Sequence, residues 1–181
     1  MIKNLFFYPL LCLLLLGFSE SALAQEALKP RPSPLEMVTF KSPESTYVKI
    51  TYGRPQKRGR TIFGELVPYG KVWRTGANEA TEITTTGDIS LAGNRIPAGT
   101  YTLFTIPEKD SWTIILNRDL GQWGAYRYDE SKDVVRFKVP AKQLGTVYEA
   151  FTIEFEQTAT DVLLKLMWDR TGVEIPVTFM N

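Results

Sequence analysis

Arg54, Arg60, Trp73, Arg74, Asn78 and Glu79 fall along one irregular stretch of the sequence, Gly53 to Asn78 with Glu79 directly after it, that has neither strand alternation nor helical spacing. Guanidinium groups beside an indole and a side-chain amide are what a carboxylate, a phosphate or an acidic sugar would meet, because arginine presents paired donors to paired oxygens. A second irregular stretch, Arg118 to Asp129, carries Gln122, Trp123, Tyr126 and Tyr128. Aromatic faces suit the C–H face of a sugar ring, and Gln122 with the nearby Asn117 adds amide donors and acceptors. Loops this long inside a compact domain are uncommon and often functional. The two stretches point to binding of a small or glycan-like ligand, anionic ones included. Each residue also has a purely structural reading, with Arg74 and Glu79 paired across a loop base, Trp73 in the core, and Trp123 and Tyr126 plugging one end of the fold.

Two other functions fit the same residues. Glu65 and Glu79 are the carboxylates of the first stretch, and two carboxylates can run acid and base steps without histidine, so a carboxylate-dependent hydrolase is one alternative. A structural envelope or interaction module is the other. The inventory removes much else. With no histidine and a single cysteine, Cys12, the chain has no set of residues for a zinc, copper, haem-histidine or thiolate site, nor for Ser-His-Asp or Cys-His catalysis. No phosphate-cradling glycine run occurs. Asp129-Glu130-Ser131-Lys132-Asp133 lacks the spacing of a calcium loop and reads as a solvated turn. Neither metal nor cofactor is expected. A net charge of +1 gives no electrostatic case for a nucleic-acid partner.

The elements that must position these loops read as short strands. The candidates are Met37 to Lys41, Tyr47 to Tyr52, Glu82 to Thr86, Ile89 to Leu91, Thr100 to Ile106, Trp112 to Asn117, Val134 to Val139, Glu149 to Glu156, Val162 to Asp169 and Val173 to Phe179. Phe151, Ile153 and Phe155 alternate with Thr152, Glu154 and Glu156, as a half-buried antiparallel strand requires. Hairpin turns are signalled at Thr86-Gly87-Asp88, Ala92-Gly93-Asn94, Pro97-Ala98-Gly99, Lys109-Asp110 and Arg170-Thr171-Gly172. Ten short strands with such turns predict an all-β chain, a single antiparallel β-sandwich, jelly-roll-like or immunoglobulin-like, carrying two long loops.

Several runs of this sequence resemble a known family. They are Tyr52-Gly53-Arg54-Pro55, Gly59-Arg60 with Ile62-Phe63-Gly64, Val67 through Thr81, Pro97-Ala98-Gly99-Thr100-Tyr101 with Leu103-Phe104 and Ile106-Pro107, and Gln122-Trp123-Gly124-Ala125-Tyr126. In order and spacing these are similar to the secreted bacterial family called domain of unknown function 2911, over roughly Ser45 to Phe179. Gly53 stands where that family often carries serine. The resemblance implies export and a single β domain, and carries no activity with it.

At the N-terminus, Lys3, an apolar run from Leu5 to Phe18 and the small residues Ala22 and Ala24 follow the order of a secretory signal. The run is short against the ~20 residues that span a bilayer. The expected organisation is a signal peptide over 1–24, an extended Pro-rich leader over 25–44 and the sandwich domain over 45–181, with no membrane anchor after cleavage and a periplasmic or extracellular address. Protein from its native host should therefore begin at Gln25; an intact mass that still includes Cys12 would overturn this.

Overall fold

Alternation of apolar and polar side chains lays down the first strands. β1 (Leu35–Lys41) and β2 (Tyr47–Gly53) pair antiparallel, and Val48, Ile50 and Tyr52 turn inward while Lys49 and Thr51 stay partly exposed. The computed structural model describes residues 30–180; the expected signal, its cleavage point and the start of the leader lie outside the described residues. Then come β3 (Thr81–Thr85), β4 (Ile89–Leu91), β5 (Asn94–Ile96), β6 (Gly99–Pro107), β7 (Ser111–Asn117), β8 (Asp133–Gln157) and β9 (Val162–Phe179), with one 3-10 turn at Glu130–Lys132. Among the described residues these nine strands join one sheet, antiparallel at every junction, in the order β1-β2-β3-β6-β7-β8-β9-β4-β5. The all-β antiparallel class expected from the sequence is what these residues form. No helix among them is long and apolar enough to cross a membrane.

The strands and turns differ from expectation at five places. Val134–Val139 and Glu149–Glu156 are parts of one strand, β8, whose first third pairs with β7 and whose remainder, from Ala141, pairs with β9. Val162–Asp169 and Val173–Phe179 are likewise one strand: Arg170-Thr171-Gly172 makes no hairpin, because Asp169 takes a left-handed φ of 55° and β8 is irregular at the same level, so the two strands bend together. Neither Thr86-Gly87-Asp88 nor Pro97-Ala98-Gly99 closes a hairpin: the first carries the chain from β3 to β4 and the second from β5 to β6, and in neither case are the two strands neighbours in the sheet. Asn94–Ile96 forms a strand that its polar start conceals.

The sheet curls until its arms face each other. Phe40 of β1 meets Phe155 of β8 at 5.5 Å and Phe179 of β9 at 5.4 Å between ring centroids, although β1 is not a sheet neighbour of either strand. Just past β2, the carbonyl of Pro55 accepts from the Phe151 N–H at 2.9 Å and the Lys57 N–H donates to the Glu149 carbonyl at 2.6 Å. Between the arms lies the main core, in which Trp73, Trp112, Trp168, Phe63 and Phe151 contact one another and Trp73 stacks on Trp168 at 5.9 Å.

β6 and β7 are buried on both faces. Tyr101, Leu103, Trp112, Ile114 and Leu116 point into the main core, while Phe104 and Ile115 point the other way and are just as completely buried, in a second cluster with Ala80, Val72, Ala125 and Tyr128. Those covering residues come from the two irregular stretches. Each large apolar side chain left uncovered there would forfeit about 1.5–3 kcal/mol, so the loops are held down by the sheet they cover. Phe104→Ala should accordingly cost about 3–5 kcal/mol in a urea melt, as a core phenylalanine would; a loss under about 1 kcal/mol would mean the loops do not seal this face.

Candidate functional site

Trp73 lies near the end of the first loop and fixes it. Its backbone exchanges both hydrogen bonds with Thr105 of β6 at 2.7 and 2.9 Å, and its indole N–H donates to the Gly76 carbonyl at 3.0 Å from within the core. A ring buried in this way presents no platform to a ligand, so Trp73 supports the site from below. Thr75 holds a φ of 55°, uncommon for a β-branched residue and worth ~1–3 kcal/mol of strain. Its hydroxyl meets that of Thr105 at 3.1 Å, and its carbonyl accepts from the Thr81 hydroxyl at 2.7 Å. The Thr81 N–H closes the turn on the Arg74 carbonyl at 3.1 Å. Gly53 lies directly beneath: a Cβ there would collide with the Ala77 carbonyl.

The two loops meet in a short antiparallel pairing. The Ala80 N–H donates to the Gln122 carbonyl at 2.8 Å and the Gly124 N–H to the Asn78 carbonyl at 2.9 Å, with Glu79 opposite Trp123. Opposed extended residues share a face, so Glu79 and Trp123 project together, while Ala80 and Gln122 turn into the buried layer; Asn78, at a left-handed φ of 65°, falls outside this alternation and its side chain reaches the Ser33 carbonyl at 3.4 Å. Gly124, at φ 72°, leaves room for two neighbours: where its Cβ would stand, the Tyr126 ring is 2.6 Å away and Arg74 Nη1 3.5 Å away. Trp123 is 62% and Tyr126 83% exposed. Arg74, Asn78, Glu79, Gln122, Trp123 and Tyr126, singled out in the sequence, are thus brought together. Gln122 lies underneath, buried, with Nε2 donating to the Asp119 carbonyl at 3.1 Å.

The arginines have separate fates. Arg60 folds back on its own loop, donating to the carbonyls of Lys57 at 2.9 Å and Gln56 at 2.5 Å. Arg54 lies within 3.5 Å of Glu36, and its backbone N–H donates to the Pro34 carbonyl at 2.8 Å. The expected Arg74–Glu79 pair is not formed: Glu79 accepts from Arg31 at 2.5 Å. That guanidinium holds the Glu79 carboxyl below the usual carboxylate range. Arg74 is left without a hydrogen-bonded or ionic partner among the described residues, with its Nε buried and unsatisfied. Sequence reasoning missed the part played by Arg31, Ser33 and Pro34; the only signal was three prolines at alternating positions, which disfavour a helix there.

The far end of the second loop is tied to β8. Asp133 accepts from the Tyr128 hydroxyl at 2.6 Å and from Asn117 Nδ2 at 2.8 Å, and Arg136 reaches both Asp133 and the Tyr128 hydroxyl. No group of acidic residues among the described residues could hold a metal ion. Two clefts, of about 570 Å³ beside Lys142, Leu163 and Glu174 and about 420 Å³ beside Tyr69, Glu108 and Asp110, include none of Arg74, Asn78, Glu79, Gln122, Trp123 and Tyr126.

Burial, reinforced by the Asp133 carboxylate, raises the Tyr128 hydroxyl far above its ordinary value of 10.0, and burial likewise raises Tyr52 and Tyr101. A phenol with a raised folded-state pKa stabilises the fold fully below the unfolded value and loses that contribution as pH climbs toward the folded one. Stability should therefore fall above about pH 10, and an absorbance titration should show Tyr128 ionising last, with Tyr52 and Tyr101 later than an unperturbed phenol. Tyr128→Phe should shrink the alkaline loss and remove the last-ionising phenol; persistence of that phenol in the variant would contradict the assignment.

No curated protein and no solved structure matches the chain. One family model, described as a protein of unknown function (DUF2911), matches residues 33–177, from just ahead of β1 into the last residues of β9 and through both loops. On that match, which takes in most of the chain, the protein belongs to the DUF2911 family.

Proposed function

We propose that this is an exported binding module whose paired loops hold a small or glycan-like ligand carrying a negative group. One observation carries the reading: Arg74 is partly buried, with Nε sealed from solvent and no anionic partner among the described residues, beside Gly124 and the Tyr126 ring. A guanidinium withdrawn from water is costly unless an anion meets it. Trp123 and Tyr126, large and exposed on a turn pinned at both ends, are stacking surfaces without a packing cause. An acidic sugar satisfies both demands. Export rests on the signal-like N-terminus, and the facing arms of the sheet support reading the scaffold as a β-sandwich. A hydrolase is the weaker reading, because a general acid needs a raised carboxyl and the Glu79 carboxyl is held low by Arg31. A purely structural module leaves the unpaired Arg74 and the bare Trp123 without a cause.

Galacturonate, galactose and inorganic phosphate, titrated against melting temperature and tryptophan fluorescence, test the proposal, since a ligand that prefers the folded state must raise the melting temperature. Galacturonate should bind best. Arg74→Lys should keep the parent melting temperature and weaken binding about ten- to hundredfold, because an ammonium cannot reproduce the planar pair of donors. Trp123→Ala should weaken it about two- to tenfold. If Arg74→Lys changes neither affinity nor stability, the anionic site is wrong.

A further inference from the structure

Residues 31–34, Arg-Pro-Ser-Pro, lie along the same two loops just ahead of β1. Arg31 Nη2 donates to Glu79 Oε2 at 2.5 Å, the Pro32 carbonyl accepts from Arg58 Nη2 at 3.3 Å, the Ser33 carbonyl accepts from Asn78 Nδ2 at 3.4 Å, and the Pro34 carbonyl accepts from the Arg54 N–H at 2.8 Å. Three successive carbonyls and one cation are thus engaged. The chain bends at Pro32–Ser33, and the prolines remove backbone donors, so apart from the Arg31 side chain the segment's contacts with the loops are made as an acceptor.

The hold is weak where it meets the ligand site. The Asn78 and Arg58 bonds are longer than the usual ~2.9–3.0 Å. The Arg31–Glu79 pair is 41% and 47% exposed, the setting in which an ion pair contributes least. The strong bond, at Pro34, lies next to β1 and away from Glu79 in sequence. A segment tied firmly at one end and loosely over two site residues is built to lift.

Resting on the proposed acidic-sugar reading, we infer that Arg31–Pro34 is a displaceable strap over the Asn78–Glu79 side of the site, and that the ligand replaces it by offering what the strap offers. To Asn78 the strap gives an acceptor oxygen, and to Glu79 a donor hydrogen. A sugar hydroxyl can do both, so the ligand is a polyhydroxylated acid: hydroxyl groups on Asn78 and Glu79, the acid group on Arg74. A bare anion such as phosphate leaves Glu79 unpaired, and a neutral sugar leaves Arg74 unpaired, so each is expected to bind more weakly than a sugar acid.

The experiment uses the full chain, Arg31→Ala and Arg31→Lys, with galacturonate as the probe. The readouts are affinity and the NMR order parameter of the Ser33 amide, which lies on the loosely held part of the segment. Arg31→Ala should tighten galacturonate binding about two- to fivefold, the scale of one exposed ion pair, and lower the Ser33 order parameter without ligand. Arg31→Lys should stay near the parent. Saturating galacturonate should lower the Ser33 order parameter in the parent as the strap lifts. If galacturonate binds but Arg31→Ala leaves affinity unchanged or weaker, or Ser33 stays as ordered in the bound state, the strap is overturned while the ligand site stands. If galacturonate binds neither the parent nor Arg31→Ala, the strap and the ligand reading fall together.

Discussion

β6 and β7 bury side chains on both faces, and the rest of the molecule is arranged around that demand. Phe104 and Ile115 are as inaccessible as Leu103 and Ile114, yet they point away from the main core, so something other than the opposing arm of the sheet must cover them. The two long loops are that cover. Ala80 and Ala125 reach the cluster from different loops, and the Ala80–Gln122 and Asn78–Gly124 backbone bonds unite them in one layer. The candidate site stands on this layer, so its rigidity comes from the burial of β6 rather than from the loops' own sequence. A site mounted on packed secondary structure keeps its geometry better than one on free loops.

Within that layer, nearly every polar group is committed. Thr75 and Thr81 lock the first loop, Asp133 anchors the second, Gln122 braces its turn, and Arg60 closes a neighbouring loop on itself. The strained Thr75 is tolerated because its hydroxyl and carbonyl are both bonded and Trp73 beside it is pinned to Thr105. Against this background the exceptions carry information. Arg74 Nε and Gln122 Oε1 are buried without a partner, and Trp123 and Tyr126 stay exposed.

Much of the scaffold was legible in the sequence. Alternation in Phe151–Glu156 marked a half-buried strand, and Tyr47–Tyr52 and Trp112–Asn117 stood out as strands by their β-branched and aromatic residues, though not as ones covered on both faces. The two irregular stretches stood out by length. Their pairing did not, because Asn78 and Gly124 are far apart in sequence and a contact of that kind leaves no periodicity. The bend in β9 was read as a turn since glycine and threonine near a charged residue suit either a hairpin or a bulge; only the partner strand decides which. Trp73 and Arg60 show the limit of residue type: an indole and a guanidinium announce what they can bind, while the backbone direction determines whether they face ligand, core or their own loop.

Arg54 and Arg74 share one peculiarity, a buried Nε with no acceptor, and the difference between them bears on function. Arg54 has Glu36 within reach and its backbone held by Pro34, so its charge is partly answered inside the chain. Glu79 is the carboxylate nearest Arg74 in sequence and lies in the paired segment, but its carboxylate is engaged by Arg31. The Arg31 contact thus takes up the group that would most simply neutralise Arg74 from inside the chain. Water can solvate the exposed part of the guanidinium, but the sealed Nε gains nothing from it, and burying an unmatched charge is among the costlier things a fold can do. An anion delivered from outside, held by the terminal nitrogens beside an aromatic ring, is the arrangement in which this geometry ceases to be a cost.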